Sequence, residues 1–426
     1  MKWTLPSLFV QIFKGPVSVI MSAAKLPSII RHARGERVSD GPQKSGASEP
    51  AELRLYREVI AELQQKGRTD RRAEIESALA KVTEPALSTP LANLLAHCCF
   101  GEQDYEGTLK ACRTWIEQAP EDRSARHTLL SVLLRLKRFD DVIEEASASL
   151  AAYPNDDRLH SALANAFAKV GRVEEGRAAG NECLRLKDAS ATGPAKDLSA
   201  IDVPPFDLAD PDRNVIAFSL FGDAQAYRDG AVRNAIAARQ LYPEWRCRFY
   251  VDESIPPQIL DRLLREGSKV VRVGGLPAGR FGTFWRFLVA DDPAVDRYLV
   301  RDCDALVGPR ERTAVEEWIA SGRHFHVMRD APTHTEVMLA GMWGGVRGAL
   351  PPLQQEMIDY CRNAPLSRTA DQQFLRERVW PTVRQSVLMH DSEYSLRDSL
   401  PFPSDPKTGE PRVGQAVADP PIGWDG

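Results

Sequence analysis

Two patterns of apolar and polar residues divide the chain. From residue 53 to about Lys187 apolar positions recur at helical spacing, and from Val215 onward short apolar runs alternate with amphipathic stretches. The helical part repeats itself. Tyr105, Phe139 and Val173 are 34 residues apart, as are Pro120 and Pro154, and Leu95, Leu129 and Leu163. In the second part, strands are expected at Val215–Phe221, Cys247–Val251, Lys269–Val273 and Arg297–Val300, with helices at 228–241, 257–266 and 283–290. Strands in alternation with helices argue for an α/β domain. Polar stretches rich in proline and glycine, up to residue 52 and over 189–211, read as linkers.

A period of 34 residues resembles the tetratricopeptide repeat, in which each helix pair must be covered by its neighbours because it cannot bury its apolar face alone. Units are expected at about 87–120, 121–154 and 155–188, with 53–84 as an N-terminal cap. The organisation read from the sequence is therefore a leader and linker (1–52), helical repeats (53–188), a second linker (189–211), an α/β domain (212–400) and a Pro/Gly-rich, disordered tail (401–426).

Composition narrows the picture a little. With 43% apolar residues, 27% charged residues and a net charge of −4, the chain lacks the basic excess of a nucleic-acid binder. Its seven cysteines form no CxxC pair and read as reduced core thiols of a cytosolic protein. Met1–Arg34 is apolar and basic, with no acidic residue. Its longest uncharged stretch, Trp3–Phe13, falls well short of the ~20 residues that span a bilayer. Residues 1–34 read either as a leader or as an interfacial segment resting on the inner face of a membrane.

The chemistry concentrates at Arg297-Tyr-Leu-Val-Arg-Asp302-Cys-Asp304, where two carboxylates follow an apolar strand at positions i and i+2. Open α/β sheets bind ligands beyond the carboxyl ends of their strands. Two adjacent carboxylates repel unless a cation joins them, and Mn²⁺ or Mg²⁺ would also accept the phosphate oxygens of a nucleotide. Asp330, at the end of the strand carrying His324-Phe-His326, is a candidate general base. The two histidines themselves fit an ordinary strand face.

The run Phe284-Trp285-Arg286-Phe287-Leu288, the Asp302-Cys303-Asp304 motif, Asp371-Gln372-Gln373 and His390 occur in an order that resembles GT-A glycosyltransferases, most closely the glycogenin and lipopolysaccharide galactosyltransferase family. The resemblance covers roughly residues 213–395 and implies a GT-A-like, Rossmann-like mixed sheet. It makes Asp302, Asp304 and His390 the ligands of Mn²⁺ or Mg²⁺. Arg286 would reach the diphosphate or sugar, with Arg301 and Arg329 as further basic residues. Asp371 would face the donor sugar or the acceptor. Phe218, Gly222 and the loop 220–227 would border the nucleotide, and Trp343, within Ala340-Gly341-Met342-Trp343-Gly344-Gly345, would stack on a sugar.

The expected activity is transfer of a sugar from a nucleotide diphosphate, UDP favoured, to a sugar, lipid-linked or protein acceptor, with the repeats holding a protein partner. Two alternatives remain open at this point. One is a repeat scaffold carrying a degenerate transferase fold. The other is a phosphatase of the haloacid-dehalogenase kind, which also uses strand-Asp-x-Asp but needs a Gly-Thr-like turn where Ala305-Leu306 stands.

Overall fold

The computed structural model describes residues 51–66, 71–82, 84–273, 279–363, 369–403 and 411–416. The chain divides into two compact units between Val173 and Glu174. The leader 1–34 lies outside the described residues. Among the described residues no helix is long and apolar enough to cross a membrane.

The first unit is built of helices: α1 (Ala51–Lys66), α2 (Arg72–Leu79), α3 (Pro85–Gly101), α4 (Tyr105–Gln118), α5 (Arg123–Arg135), α6 (Phe139–Ala152) and α7 (Asp157–Lys169). The period seen in the sequence is the period of the helix pairs, since Tyr105 opens α4 and Phe139 opens α6. Each helix from α3 to α6 packs on the next, so neighbours cover one another's apolar faces. Aspartates cap the starts. Asp104 accepts from Gly107 N at 2.9 Å, Asp122 from Ser124 N at 3.0 Å, and Asp156 from Arg158 N at 3.0 Å. Between the helices Trp115 is fully buried against Ala92 and Ala125, and its indole N–H donates to Asp122 at 3.1 Å.

The second unit opens with α8 (Val173–Ser190), which the sequence assigned to the repeats. Side chains of α8 explain why it groups with the sheet. Lys187 donates to Thr335 O at 2.9 Å, Trp380 donates to Asp188 at 2.7 Å, and a Cβ on Gly180 would fall 2.0 Å from the Tyr394 ring. Seven strands then form one sheet in the order β3-β2-β1-β4-β6-β5-β7. They are β1 (Asn214–Leu220), β2 (Arg246–Val251), β3 (Lys269–Arg272), β4 (Arg297–Arg301), β5 (Phe325–Arg329), β6 (Met342–Val346) and β7 (Val387–Asp391). The pairs β1–β2, β2–β3, β1–β4 and β5–β7 are parallel, whereas β6 runs antiparallel to β4 and β5.

The helices of this unit are α9 (Gln225–Leu241), α10 (Pro257–Arg265), α11 (Pro309–Ser321), α12 (Leu353–Asn363), α13 (Ala370–Phe374) and α14 (Trp380–Val383). The α-helix expected at 283–290 is instead a series of 3₁₀ turns over Gly279–Asp291. Phe281, Phe284 and Phe287 sit three residues apart, all are buried, and adjacent rings lie 5.5 and 5.8 Å apart. That spacing suits a helix of three residues per turn, in which i and i+3 eclipse.

The glycines at 344 and 345 serve the sheet. A Cβ at Gly344 would come 2.6 Å from Tyr298 O, and one at Gly345 the same distance from the Tyr298 hydroxyl. The disordered tail expected from 401 onward is overturned for 411–416. Val413 is buried among Ala314, Met328, Met342 and Phe402, and Ala416 forms a bridge with Ala305.

Candidate functional site

The chain leaves β1 toward β2 and β3 on one side, then returns to place β4 on the other side of β1. The carboxyl ends of β1 and β4 thus lie side by side where the strand order reverses, the position at which open α/β sheets form a ligand crevice. Two loops border it. The loop after β1 contains Gly222 at φ +80°, where an L side chain would be strained. It is tied down, because Gly222 N donates to Ser254 Oγ at 2.7 Å and Arg228 donates to Gly222 O at 2.8 Å. The loop after β4 carries Asp302, Cys303 and Asp304.

Asp302 has a side chain 41% exposed, and its other side meets Arg286. The Arg286 guanidinium donates to Asp302 through one nitrogen and, at 3.1 Å, to Asp371 through another. Its backbone N–H donates to Ser219 Oγ at 2.9 Å, which docks the 3₁₀ turns onto β1. Burial raises the Asp371 carboxyl above its ordinary range, with Arg286 acting in the opposite direction. The Asp304 carboxyl is also raised, by burial first and then by the charge of Asp302, while a hydrogen bond to Tyr227 lowers it. A cation beside the pair would reverse the effect of the Asp302 charge.

Asp302 and Asp304 present an all-oxygen donor pair. Gly341 keeps one flank of it clear, for a Cβ there would fall 2.0 Å from Asp302 Oδ2. Such a pair suits Mg²⁺ or Mn²⁺ held by one or two carboxylates together with phosphate oxygens and water. Among the described residues no group of three or more His, Cys, Asp or Glu side chains is placed to hold a metal ion.

The other residues named from the sequence lie elsewhere. His390 is fully buried between His326, at 2.9 Å, and Glu317, at 3.0 Å, so its ring nitrogens serve that chain of contacts and not Asp302. Asp330 accepts four hydrogen bonds, two from Arg310 at 3.2 and 3.0 Å, one from Ser392 and one from Val413 N at 2.8 Å. Those fill the lone-pair directions of a carboxylate and leave none for a substrate proton.

Trp343 is fully buried against Tyr298 and Phe287, so no sugar can stack on it. Phe218 stacks on Phe249 at 4.8 Å inside the core. Arg301 is buried against Glu311, and Arg329 against Asp391. Arg286 is the arginine of these three that reaches the Asp302 loop. His324 lies outside β5 and bonds to Ser386 and Ile201 O, away from His326. All seven cysteines are buried.

One residue of the site escaped the sequence reading. Asn234 of α9, wholly buried, contacts the Asp302 loop from behind. The only cue available was an asparagine in mid-helix, where its propensity is poor.

No protein-family model and no curated protein sequence matches the chain. Among solved structures, MamA from Desulfovibrio magneticus RS-1 is 20% identical, with 33% of this chain and 77% of that chain covered and a TM-score of 0.25. A Thermobaculum terrenum O-GlcNAc transferase is 18% identical, with 55% and 47% covered and a TM-score of 0.28. A mycobacterial protein is 16% identical, with 38% and 67% covered and a TM-score of 0.25.

Proposed function

We propose that the unit beginning at Glu174 binds a nucleotide diphosphate sugar, UDP-linked by resemblance, and transfers the sugar with the help of Mn²⁺ or Mg²⁺. One observation carries this reading: two part-exposed carboxylates, Asp302 and Asp304, end β4 beside the end of β1 where the strand order reverses.

In this reading Asp302 and Asp304 hold the ion, which when bound supplies positive charge against the leaving diphosphate. Arg286 orients Asp302 and faces the diphosphate, and Asp371 keeps the guanidinium in place from behind. The loop at Gly222 lies beside the nucleotide, with Tyr227 and its contact to Asp304 at the rim. His390, Asp330, Trp343 and Phe218 have no part in it. The helical repeats hold a protein partner, and the acceptor is a sugar, lipid-linked or protein hydroxyl.

A second reading, a fold that binds without turnover, is favoured by two observations. His390 is not beside the carboxylate pair, and Asp330 has no free lone pair. Turnover separates the two readings. Wild-type protein with Mn²⁺ and a panel of UDP-sugars should release UDP, and Asp302→Ala should not. UDP binding without any release from the panel would select the binding-only fold.

A further inference from the structure

The Asp302 loop is held on its inner side by one side chain. Asn234 Nδ2 donates to Cys303 O and Ala305 O, each at 3.1 Å, and to Gly230 O at 3.0 Å. Its Oδ1 accepts from Val307 N at 3.0 Å. The carboxamide orientation is fixed by these partners, because carbonyls need the NH₂ end and an amide N–H needs the oxygen. The three loop contacts bracket Asp304 from both sides along the chain.

Gly230, one helical turn before Asn234, makes the approach possible. A Cβ there would fall 2.1 Å from Cys303 O. Cys303 completes the hold with a thiol that donates to Ser219 O at 3.2 Å. The loop is thereby pinned to α9 and β1, while Asp302 and Asp304 stay part-exposed.

We propose that Asn234 is the positioning residue of the cation site, fixing the spacing of Asp302 and Asp304 through the backbone between and after them. This rests on the reading of the carboxylate pair given above. Outer partners that orient metal ligands are typically worth about 10–100-fold in metal affinity, which sets the expected size of the effect.

Asn234→Leu keeps the volume but removes both the donor end that faces three carbonyl oxygens and the oxygen that accepts from Val307 N. Gly230→Ala displaces Cys303 O with the carboxamide intact. Two quantities are measured on each full-length variant: binding of UDP in the presence of Mn²⁺, and hydrogen exchange at Val307 N, with β5 amides as the control for the folded sheet. The proposal expects faster exchange at Val307 in Asn234→Leu and a loss of UDP/Mn²⁺ affinity of about ten-fold or more in both variants. Protection in β5 should be retained. Faster exchange at Val307 with wild-type affinity overturns the positioning role and leaves the site reading intact. Failure of the wild type itself to bind overturns the site reading, and the inference with it. Should Asn234→Leu lose β5 protection, Gly230→Ala decides alone, and unchanged affinity there overturns the proposal.

Discussion

Arg286 offers the sharpest test of how the site is held together. Arg286→Met removes the cation that contacts both Asp302 and Asp371. The two carboxylates should respond differently. Asp302, with its side chain 41% exposed, is screened by water and should lose only about 0–1 kcal/mol. Asp371 is 6% exposed, and leaving a buried charge unpaired costs about 3–5 kcal/mol. Most of the penalty should therefore vanish in Arg286→Met/Asp371→Leu, with a coupling energy of at least about 2 kcal/mol.

The pH dependence has a definite sign. Burial already raises the Asp371 carboxyl, and loss of Arg286 removes the influence opposing that rise. A carboxyl with a raised folded-state pKa binds its proton more tightly when folded, so stability falls as pH rises. Arg286→Met should thus be more costly at pH 8 than at pH 5. Urea-dependent hydrogen exchange at β1 and β4 amides reports the sheet unit apart from the repeats. A cost below about 1 kcal/mol, a double variant no better than the single one, or a cost independent of pH would each show that Asp371 is not a buried charge held by Arg286.

Three further outcomes are expected. Burial lowers His334 to about 4, and its Nδ1 accepts from Asp330 N at 3.0 Å, so the sheet unit should lose about 3 kcal/mol as pH falls from about 6.5 to 4. His334→Asn, which keeps the acceptor, should flatten that slope in urea titrations, and an unchanged slope would refute the assignment. In the repeats, burial acts to raise Asp156, but the His127 contact and two backbone amides outweigh it and bring the carboxyl to about 2. Its stabilisation is complete above the ordinary carboxyl range and is lost as pH falls through about 2. Asp156→Ala should cost about 1–3 kcal/mol by circular dichroism, and a loss below about 0.5 kcal/mol would contradict the capping account. Gly341→Ala should weaken Mn²⁺-dependent UDP binding by about ten-fold or more, because the new Cβ falls 2.0 Å from Asp302 Oδ2. Gly308→Ala, in open space at φ −139°, serves as the calorimetric control and should bind like wild type.

The strands and the carboxylate pair were legible because each leaves a local mark, an apolar run that stops at charged residues. Helix pairing was legible from the repeat of Tyr105 and Phe139, which open α4 and α6. What the sequence hid depends on contacts distant along the chain. His390 ends an apolar run as expected, yet β7 pairs with β5, so its neighbours are His326 and Glu317. Asp330 marks a strand end as Asp302 does. Only Arg310, Ser392 and the return of residue 413 make it a structural carboxylate. Trp343 was expected to stack on a sugar, but the sheet closes around it, with 344 and 345 filled by Tyr298 and its neighbours, and only Gly341 faces Asp302. The three-residue spacing of Phe281, Phe284 and Phe287 was present in the sequence and marks the 3₁₀ turns.

Thermal unfolding of the purified protein with UDP and Mn²⁺, compared with Asp302→Ala and Asp304→Ala, reads directly whether the carboxylate pair holds a nucleotide together with a metal ion. A ligand bound only by the folded state adds about 2.7 kcal/mol at a hundred times its Kd. The melting temperature should rise only when both UDP and Mn²⁺ are present, and the rise should be lost in either variant. No rise with any nucleoside diphosphate, or a rise that survives both substitutions, would show that the pair holds no such ligand.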